Sequence, residues 1–341
     1  YLLAINPVSA HRETMDTKDY ILVVNSYTEA FPWSNRALSA TTKYVLDNST
    51  LALYVEHMNM LMMDNDTIVD EFKKNCIEKY RDHTPRMVLL LGNSAMILRD
   101  DFRRMWEDVP IVLCAEENYI GPNEYYLKKQ PIPVEKRVPL SELVKPYNMV
   151  FLHANMYIEE NIELICQMIP RMERFIFVAD QRFVNVTNDF EIQKILDKKH
   201  PNIKYDLFSP QKFTLDGLLD SLNVVEPGTT GILFSSWIYK RTFAGNTSLV
   251  PNAYKMISMI SPPLFSMGIV DIIDEEGGML GGYIYNQKHY NQELTRIIDL
   301  IISGKQARNI PNYEPSDGTP VINYQVLLRK GISPKLVPAN T

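Results

Sequence analysis

The chain has 341 residues, of which 45% are hydrophobic and 22% are charged, as in ordinary globular domains. This length exceeds what one hydrophobic core usually organises and favours about two domains. The 35 Lys and Arg residues against 41 Asp and Glu give a net charge of −6. This charge argues against nucleic acid as a partner, because phosphate backbones are bound by positive surfaces. No apolar run reaches the roughly 18 residues that a membrane-spanning helix requires.

Motifs for metals, cofactors and common catalytic sites are missing from the sequence. The three cysteines, Cys76, Cys114 and Cys166, form no CxxC pair, and the six histidines form no HExxH motif. The sequence also lacks the dinucleotide fingerprint, the phosphate-binding P-loop and the GxSxG nucleophile elbow. We therefore expect no metal, no cofactor and no catalytic residue in this chain.

Short apolar runs rich in β-branched residues alternate with segments of helical periodicity from residue 20 onward. Strands are predicted at residues 20–24, 51–56, 87–91, 109–115, 149–152, 174–179, 204–207, 230–234 and 263–267. Helices are predicted at residues 35–46, 66–80, 95–106, 159–168, 190–199, 214–222, 252–260 and 292–302. This alternation is typical of βαβ units, which form parallel sheets.

A segment rich in proline and charge, residues 121–145, interrupts this alternation. Two α/β runs of similar length on either side predict an α/β fold of two doubly wound parallel-sheet lobes with a ligand cleft between them. The predicted divisions are an N-terminal arm at residues 1–19, a first lobe of residues 20–148 plus 262–304, and a second lobe of residues 149–261 plus 305–341.

The first ten residues have the pattern of a cleaved export signal. Residues 1–5 are apolar, and the stretch that follows ends in small residues at Ser9 and Ala10. This pattern predicts the end of a signal peptide with cleavage after Ala10, which would place the mature protein outside the cytoplasm. A short arm that is disordered or docked on the domain is the alternative interpretation.

Candidate ligand-binding residues follow the predicted strands, because ligands of open parallel sheets bind at the carboxyl ends of the strands. The candidates are Ser26, Tyr27, Trp33, Asn93, Ser94, Glu116, Asn118, Asn155, Tyr157, Asp180, Ser236 and Trp237. Aromatic rings could stack on a planar ligand, and the polar side chains could bind hydroxyl or amino groups. The alternatives are a tryptophan that packs in the core, simple helix N-caps and a solvated carboxylate at Glu116.

Three segments resemble the type I periplasmic-binding-protein-like, ABC substrate-binding-like sensor domains of bacterial two-component sensor histidine kinases. These segments are Val24-Asn25-Ser26-Tyr27 followed by Pro32-Trp33, the turn Gly281-Gly282-Tyr283 followed by residues 302–305, and the tail at residues 321–324, 331–332 and 337–338. Asn25 stands where that family commonly has His, and Asn323 stands where it commonly has Asp. The resemblance extends over residues 20–338.

The resemblance implies a periplasmic, membrane-anchored domain that senses a small molecule, such as a sugar or another polar metabolite, by closing its lobes. It also implies a cytoplasmic kinase module in the same chain and a homodimer that forms through an apolar face of the first lobe. The first alternative is a free solute-binding protein of an ABC importer. The second is a two-lobed enzyme, such as a glycosyltransferase, with its active site in the same cleft.

Overall fold

The computed structural model describes residues 19–29, 31–237, 239–241, 247–249, 253–268, 273, 278–315, 318–339 and 341. The predicted signal-peptide remnant lies outside these residues. In the part of the chain that is described, no helix combines the length and the apolar character needed to cross a bilayer.

Strands and helices alternate along the described chain. The strands are β1 (Tyr20–Asn25), β2 (Ala52–His57), β3 (Met87–Leu91), β4 (Ile111–Ala115), β5 (Tyr119–Ile120), β6 (Val138–Pro139), β7 (Met149–His153), β8 (Arg174–Val178), β9 (Lys204–Phe208), β10 (Thr230–Phe234), β11 (Tyr239–Arg241), β12 (Thr247–Leu249), β13 (Phe265–Ser266), β14 (Gly281–Ile284) and β15 (Thr319–Ile322). The helices are α1 (Pro32–Asn48), α2 (Asp66–Tyr80), α3 (Arg99–Trp106), α4 (Asn123–Lys128), α5 (Leu140–Leu143), α6 (Ile158–Met168), α7 (Phe183–Lys199), α8 (Leu215–Asn223), α9 (Ala253–Ser258), α10 (Gln287–Ile302) and α11 (Tyr324–Arg329).

The first lobe contains a parallel sheet of order β2-β1-β3-β4-β7 with helices on both faces. Successive side chains of β1 point to opposite faces, so Leu22 and Val24 pack in one core cluster and Ile21 and Val23 in the other. Helices α2 and α3 cover the first face, and α1 and α10 cover the second. Because both faces are covered, the central strands β3 and β4 are apolar throughout rather than alternating, whereas the edge strand β2 is partly buried and carries Glu56 and His57.

The second lobe contains a sheet of order β15-β14-β13-β10-β8-β9, which is parallel except for the antiparallel edge strand β15. Ile176 and Val178 pack with α8 and α9 on one face, whereas Phe175 and Phe177 pack with α6, α7 and α11 on the other. The structure thereby confirms the predicted α/β fold of two doubly wound lobes.

The predicted lobe boundaries are displaced from the observed strand pairing. Strand β7 pairs with β4 and is therefore the last strand of the first sheet, although the prediction starts the second lobe at residue 149. Strands β13 and β14 pair within the second sheet, although residues 262–304 are predicted in the first lobe. Among the described residues of that range, α10 packs on the first lobe through its apolar face, which contacts α1 and the first sheet, and Tyr285 just before it packs in the same cluster.

Among the described residues, the chain passes between the lobes three times: after β7, after β14, and between Tyr313 and β15. The last passage begins with a bridge in which the His153 backbone N–H donates to the Tyr313 carbonyl oxygen at 2.8 Å and the Tyr313 N–H donates to the Phe151 carbonyl oxygen at 3.0 Å. Short passages of this kind between two lobes are the usual location of a hinge in two-lobed proteins.

Helix α7 begins seven residues earlier than the predicted helix at 190–199. Its first turns bury Asn185, Thr187 and Asn188, each with at most 2% of its surface exposed. Because these buried residues are polar, apolar periodicity does not reveal this part of the helix. The polar turns lie beside the cleft and contribute to the site.

A buried asparagine joins helix α6 to the second sheet. The side chain of Asn161 is fully buried, and its Nδ2 atom donates to the carbonyl oxygens of Tyr157 and Tyr283 at 2.9 Å each. Its Oδ1 atom accepts from the backbone N–H of Tyr283 at 2.8 Å. This side chain therefore satisfies backbone groups on both elements at once.

We expect Asn161→Ala to lower the free energy of unfolding by about 2–4 kcal/mol, because it removes these bonds and leaves buried backbone groups unsatisfied. Urea denaturation measures this change. The matched control is Asn48→Ala on exposed α1 surface, for which we expect a change within about 0.5 kcal/mol. Equal losses in the two variants would contradict the role of Asn161.

Candidate functional site

The first lobe contributes an aromatic pair that follows β1. The Asn25 Oδ1 atom accepts from the backbone N–H of Tyr27 at 3.1 Å, and its Nδ2 atom donates to the Ser34 Oγ atom at 3.2 Å. These bonds tie the end of β1 to the start of α1. They hold Tyr27 against Phe31, with 4.5 Å between the ring centroids.

A second loop of the first lobe carries Glu116 at the end of β4. The Asn93 Oδ1 atom accepts from the backbone N–H groups of Glu116 at 2.8 Å and Glu117 at 3.2 Å. Its Nδ2 atom donates to the carbonyl oxygens of Glu117 and Tyr119. Asn93 thus fixes the loop that presents Glu116, and its own hydrogen-bonding groups are used within the lobe.

The second lobe contributes a buried ion pair at the ends of β8 and β10. The Asp180 Oδ1 atom accepts from Arg182 Nε at 2.8 Å and from Asn185 Nδ2 at 2.8 Å. The Ser236 Oγ atom accepts from Arg182 Nη2 at 2.5 Å and from Asn185 Nδ2 at 2.9 Å. Ser235 completes the network by donating from its hydroxyl to Asn185 Oδ1 at 2.7 Å. Asp180 and Arg182 are 3% and 5% exposed.

The two lobes meet at Arg182. Its guanidinium carbon lies 3.8 Å from the ring centroid of Phe31 and 5.3 Å from that of Tyr27, both in the opposite lobe. Such cation–π contacts are strongest where the cation is removed from water. A second pair crosses between the lobes beside it, since the rings of Tyr126 and Phe183 lie 4.4 Å apart.

A cavity of about 20 Å³ remains between these groups, which is room for about one water molecule. Its walls come from both lobes: Ser26, Tyr27, Thr28, Phe31, Asn59, Met60, Leu61, Ser94, Tyr126, Lys129, Arg182, Phe183 and Val184. A metabolite is far larger than this cavity, so binding one requires the lobes or Arg182 to move apart.

Burial controls the charges in this region. It raises the pKa of Glu116 to about 7, although a hydrogen bond from Tyr27 and the charge of Arg182 act in the opposite direction. Burial raises the pKa of Glu117 to about 8, and the charge of Glu116 adds to this shift. Burial is the largest influence on Arg182 and disfavours its charged form, but Asp180, Tyr27 and Glu116 together outweigh burial and raise the pKa of Arg182.

Six of the predicted site residues lie in or next to the interlobe cavity. Ser26, Tyr27 and Ser94 line it. Glu116 adjoins it through Tyr27 and Arg182, while Asp180 and Ser236 bind Arg182.

The structure places the other six predicted residues differently. Asn93 holds the Glu116 loop, and Asn118 is exposed. Trp33 is buried in the first lobe and donates from Nε1 to the Tyr285 hydroxyl at 3.0 Å.

The remaining three of these six residues are Asn155, Tyr157 and Trp237. Asn155 accepts from the backbone N–H of Tyr157 at 2.9 Å. Tyr157 is buried and donates to the Pro315 carbonyl oxygen. Trp237 packs in the core of the second lobe. Contact of these residues with a ligand stays a prediction.

The site also includes residues that the sequence-based selection omits. Arg182 lies in a polar segment directly after β8, so its position at a strand end was a usable signal. Phe31, Tyr126 and Phe183 look like core residues in the sequence, and Lys129 lies in an irregular connection far from any strand end. Only the packing of the lobes brings them to the cavity.

In the described part of the chain, no group of three His, Cys, Asp or Glu side chains is arranged to hold a metal ion.

We expect stability to fall as the pH rises from about 5 to about 7. The Glu116 carboxyl keeps its proton up to about pH 7 in the folded protein but loses it near its ordinary value of 4.5 in the unfolded chain. The folded state therefore binds more protons in this window, and the loss is on the order of 3 kcal/mol. Urea denaturation between pH 5 and pH 8 measures the slope.

Glu116→Gln should remove the part of the pH dependence of stability that comes from Glu116. Glu117 should continue to lower stability as the pH rises further. Glu142→Gln, at an exposed position on α5, serves as the control and should keep the slope of the unmodified protein. An unchanged slope in Glu116→Gln would show that the Glu116 carboxyl is ionised across the whole window.

No protein-family model and no curated protein sequence matches the chain. Solved structures do match it in fold. An ABC-domain protein from Streptococcus pneumonia in complex with L-Trp has a TM-score of 0.60 at 13% identity, with 94% of this chain and 98% of that chain covered. A carbohydrate transporter solute binding protein from Agrobacterium radiobacter in complex with D-arabinose has a TM-score of 0.54 at 10% identity, with 90% and 95% covered.

An ABC transporter solute binding protein from Bacillus halodurans C-125 with bound myo-inositol has a TM-score of 0.55 at 8% identity, with 93% of this chain and 99% of that chain covered. At these identities the likeness concerns the fold. The sheet order, the three passages between lobes and these matches together show that the chain has the two-lobed α/β fold of type I periplasmic binding proteins.

Proposed function

We propose that this protein is an extracytoplasmic solute-binding protein that holds a small polar molecule between its lobes. The observation that carries the proposal is the meeting of Arg182 from the second lobe with Phe31 and Tyr27 from the first. Buried charged groups and aromatic walls meet at this point, and three passages of the chain connect the two lobes. This combination suits a cleft that opens to admit a ligand and closes around it.

The matched structures support a binding role. They were solved with L-Trp, D-arabinose or myo-inositol, which are small and polar. Two of them are solute binding proteins of transporters, and this favours the importer component over the other contexts. The binding of such a solute requires no chemical step, and we place the protein among binding proteins rather than enzymes.

A second candidate is the sensor domain of a membrane-anchored histidine kinase. Its support is the likeness of the segment Val24 to Tyr27, and of the tail through Pro338, to that family. In this context the chain would act as a homodimer joined to a cytoplasmic kinase module. Sequencing the gene beyond the codon for Thr341 distinguishes the candidates, because the kinase context requires a membrane helix and a kinase in the same reading frame.

We expect at least one compound from a panel of sugars, polyols, amino acids and organic acids to raise the melting temperature of residues 19–341 in a saturable way. A ligand that binds only the folded state stabilises it by mass action. Chromatography of the mixture should recover the compound unchanged. Conversion of the compound to a product would instead support the two-lobed enzyme, and the absence of any shift would contradict the binding function.

We expect Phe31→Ala to weaken binding of that compound by about 10-fold or more, because a fully buried aromatic wall is worth about 1–3 kcal/mol in binding. Isothermal titration calorimetry measures the affinity. Phe190→Ala is the matched control, since Phe190 lies on the outer surface of α7 with 47% of its surface exposed. Equal affinities for the two variants would remove Phe31 from the site.

A further inference from the structure

Two buried groups of opposite charge each retain one unused hydrogen-bonding atom at the interlobe cleft. Arg182 uses Nε and Nη2 for Asp180 and Ser236, but its Nη1 atom has no partner among the described residues. Asp180 uses only Oδ1, and its Oδ2 atom likewise lacks a partner within the described part of the chain. Both side chains are more than nine-tenths buried.

Atoms of this kind are rare in folded proteins, because a buried donor or acceptor without a partner carries the full cost of its desolvation. Arg182 lines the interlobe cavity. Asp180 adjoins the cavity through Arg182, whose Nε atom donates to the Asp180 Oδ1 atom at 2.8 Å. The two unused atoms therefore belong to one bonded pair of side chains, of which Arg182 forms part of the cavity wall.

The charges of Arg182 and Asp180 restrict the chemical class of the ligand. Arg182 Nη1 donates with a positive charge, and Asp180 Oδ2 accepts with a negative one. A molecule that satisfies both at full strength has an anionic group and a cationic group close together. Hydroxyl groups of a sugar could also bond to either atom, but the charge would then lie on the protein side alone, whereas a carboxylate and an ammonium group add an opposite charge at each atom.

The rest of the cavity is apolar on several sides. Phe31, Tyr126 and Phe183 contribute aromatic rings, and Met60 and Leu61 contribute aliphatic surface. Methionine adapts to the shape of an apolar group, and rigid aromatic rings offer it a large contact area. These walls suit an apolar or aromatic substituent that extends away from the charged end of the ligand.

We propose that the cleft recognises an α-amino acid with an apolar or aromatic side chain, whose carboxylate binds Arg182 Nη1 and whose ammonium group binds Asp180 Oδ2. This inference rests on the proposed binding function and specifies its ligand class. The existing cavity of about 20 Å³ is too small for such a ligand. Entry of the amino acid therefore separates Arg182 from the ring of Phe31, and the substituent takes the place of the guanidinium against that ring.

Three related compounds test the proposal on the unmodified protein. They are L-phenylalanine, 2-phenylethylamine, which lacks the carboxylate, and 3-phenylpropanoate, which lacks the ammonium group. L-Tyrosine, L-tryptophan, L-leucine and L-methionine complete the set of amino acids, and each amino acid that binds is compared with its own amine and acid analogues. Calorimetric titration should show at least about 10-fold weaker binding for both analogues, because each loses a charge-assisted hydrogen bond.

Two charge-neutralising variants test the assigned atoms. Arg182→Gln should weaken binding of the amino acid at least about 10-fold while reducing its preference over the amine analogue. Asp180→Asn should do the same for the preference over the acid analogue. The controls are Arg296→Gln and Asp216→Asn, which change the same residue types at partly or fully exposed positions. Circular dichroism checks that each variant is folded, and the analogue series on the unmodified protein keeps the proposal testable where a variant is not.

The result separates this inference from the function on which it rests. If D-arabinose or myo-inositol binds and no amino acid does, the amino-acid proposal is overturned and the solute-binding function stands. If an amine analogue binds as tightly as its amino acid, the assignment of the carboxylate to Arg182 is overturned. If no compound of any class binds, both proposals are overturned.

Discussion

The buried ion pair between Asp180 and Arg182 is the interaction on which the region between the lobes depends. A guanidinium with 5% exposure persists in a protein only where a counter-charge and hydrogen-bond acceptors surround it. Asp180 at the end of β8 and Ser236 after β10 provide them, and Asn185 at the start of α7 bonds to both. Strands and helix are thus joined at one point, from which Arg182 extends toward the other lobe.

The two lobes contribute different chemistry to this meeting point. The second lobe provides the charged groups, and the first provides aromatic rings and the Glu116 carboxyl, whose pKa burial raises to about 7. A cation on an aromatic face keeps much of its stabilisation when the surfaces slide, because the attraction is less directional than a hydrogen bond. The contact therefore holds the lobes together without fixing them rigidly, which suits the proposed opening of the cleft.

Most of the fold could be predicted from the sequence, because strands covered on both faces are apolar along their whole length and helices between them show a separate periodicity. The division into lobes could not. Strands β7, β13 and β14 belong to their sheets because they pair with other strands of those sheets. The local sequence pattern does not predict which strands pair. The first turns of α7 were not predicted, because their buried residues Asn185, Thr187 and Asn188 are polar and produce no apolar periodicity.

The candidate site also has one part that the sequence predicts and another part that only the structure shows. The sequence by itself determined that polar and aromatic residues follow the strands, and the structure places six residues selected by that rule in or beside the interlobe cavity: Ser26, Tyr27, Ser94, Glu116, Asp180 and Ser236. Only the tertiary structure decided that Trp33 is held inside the first lobe by Tyr285, and that Phe31 and Arg182 face each other across the cleft. The physical reason is that a strand end positions a residue through local backbone geometry, whereas a contact between lobes depends on how two separately formed cores come together.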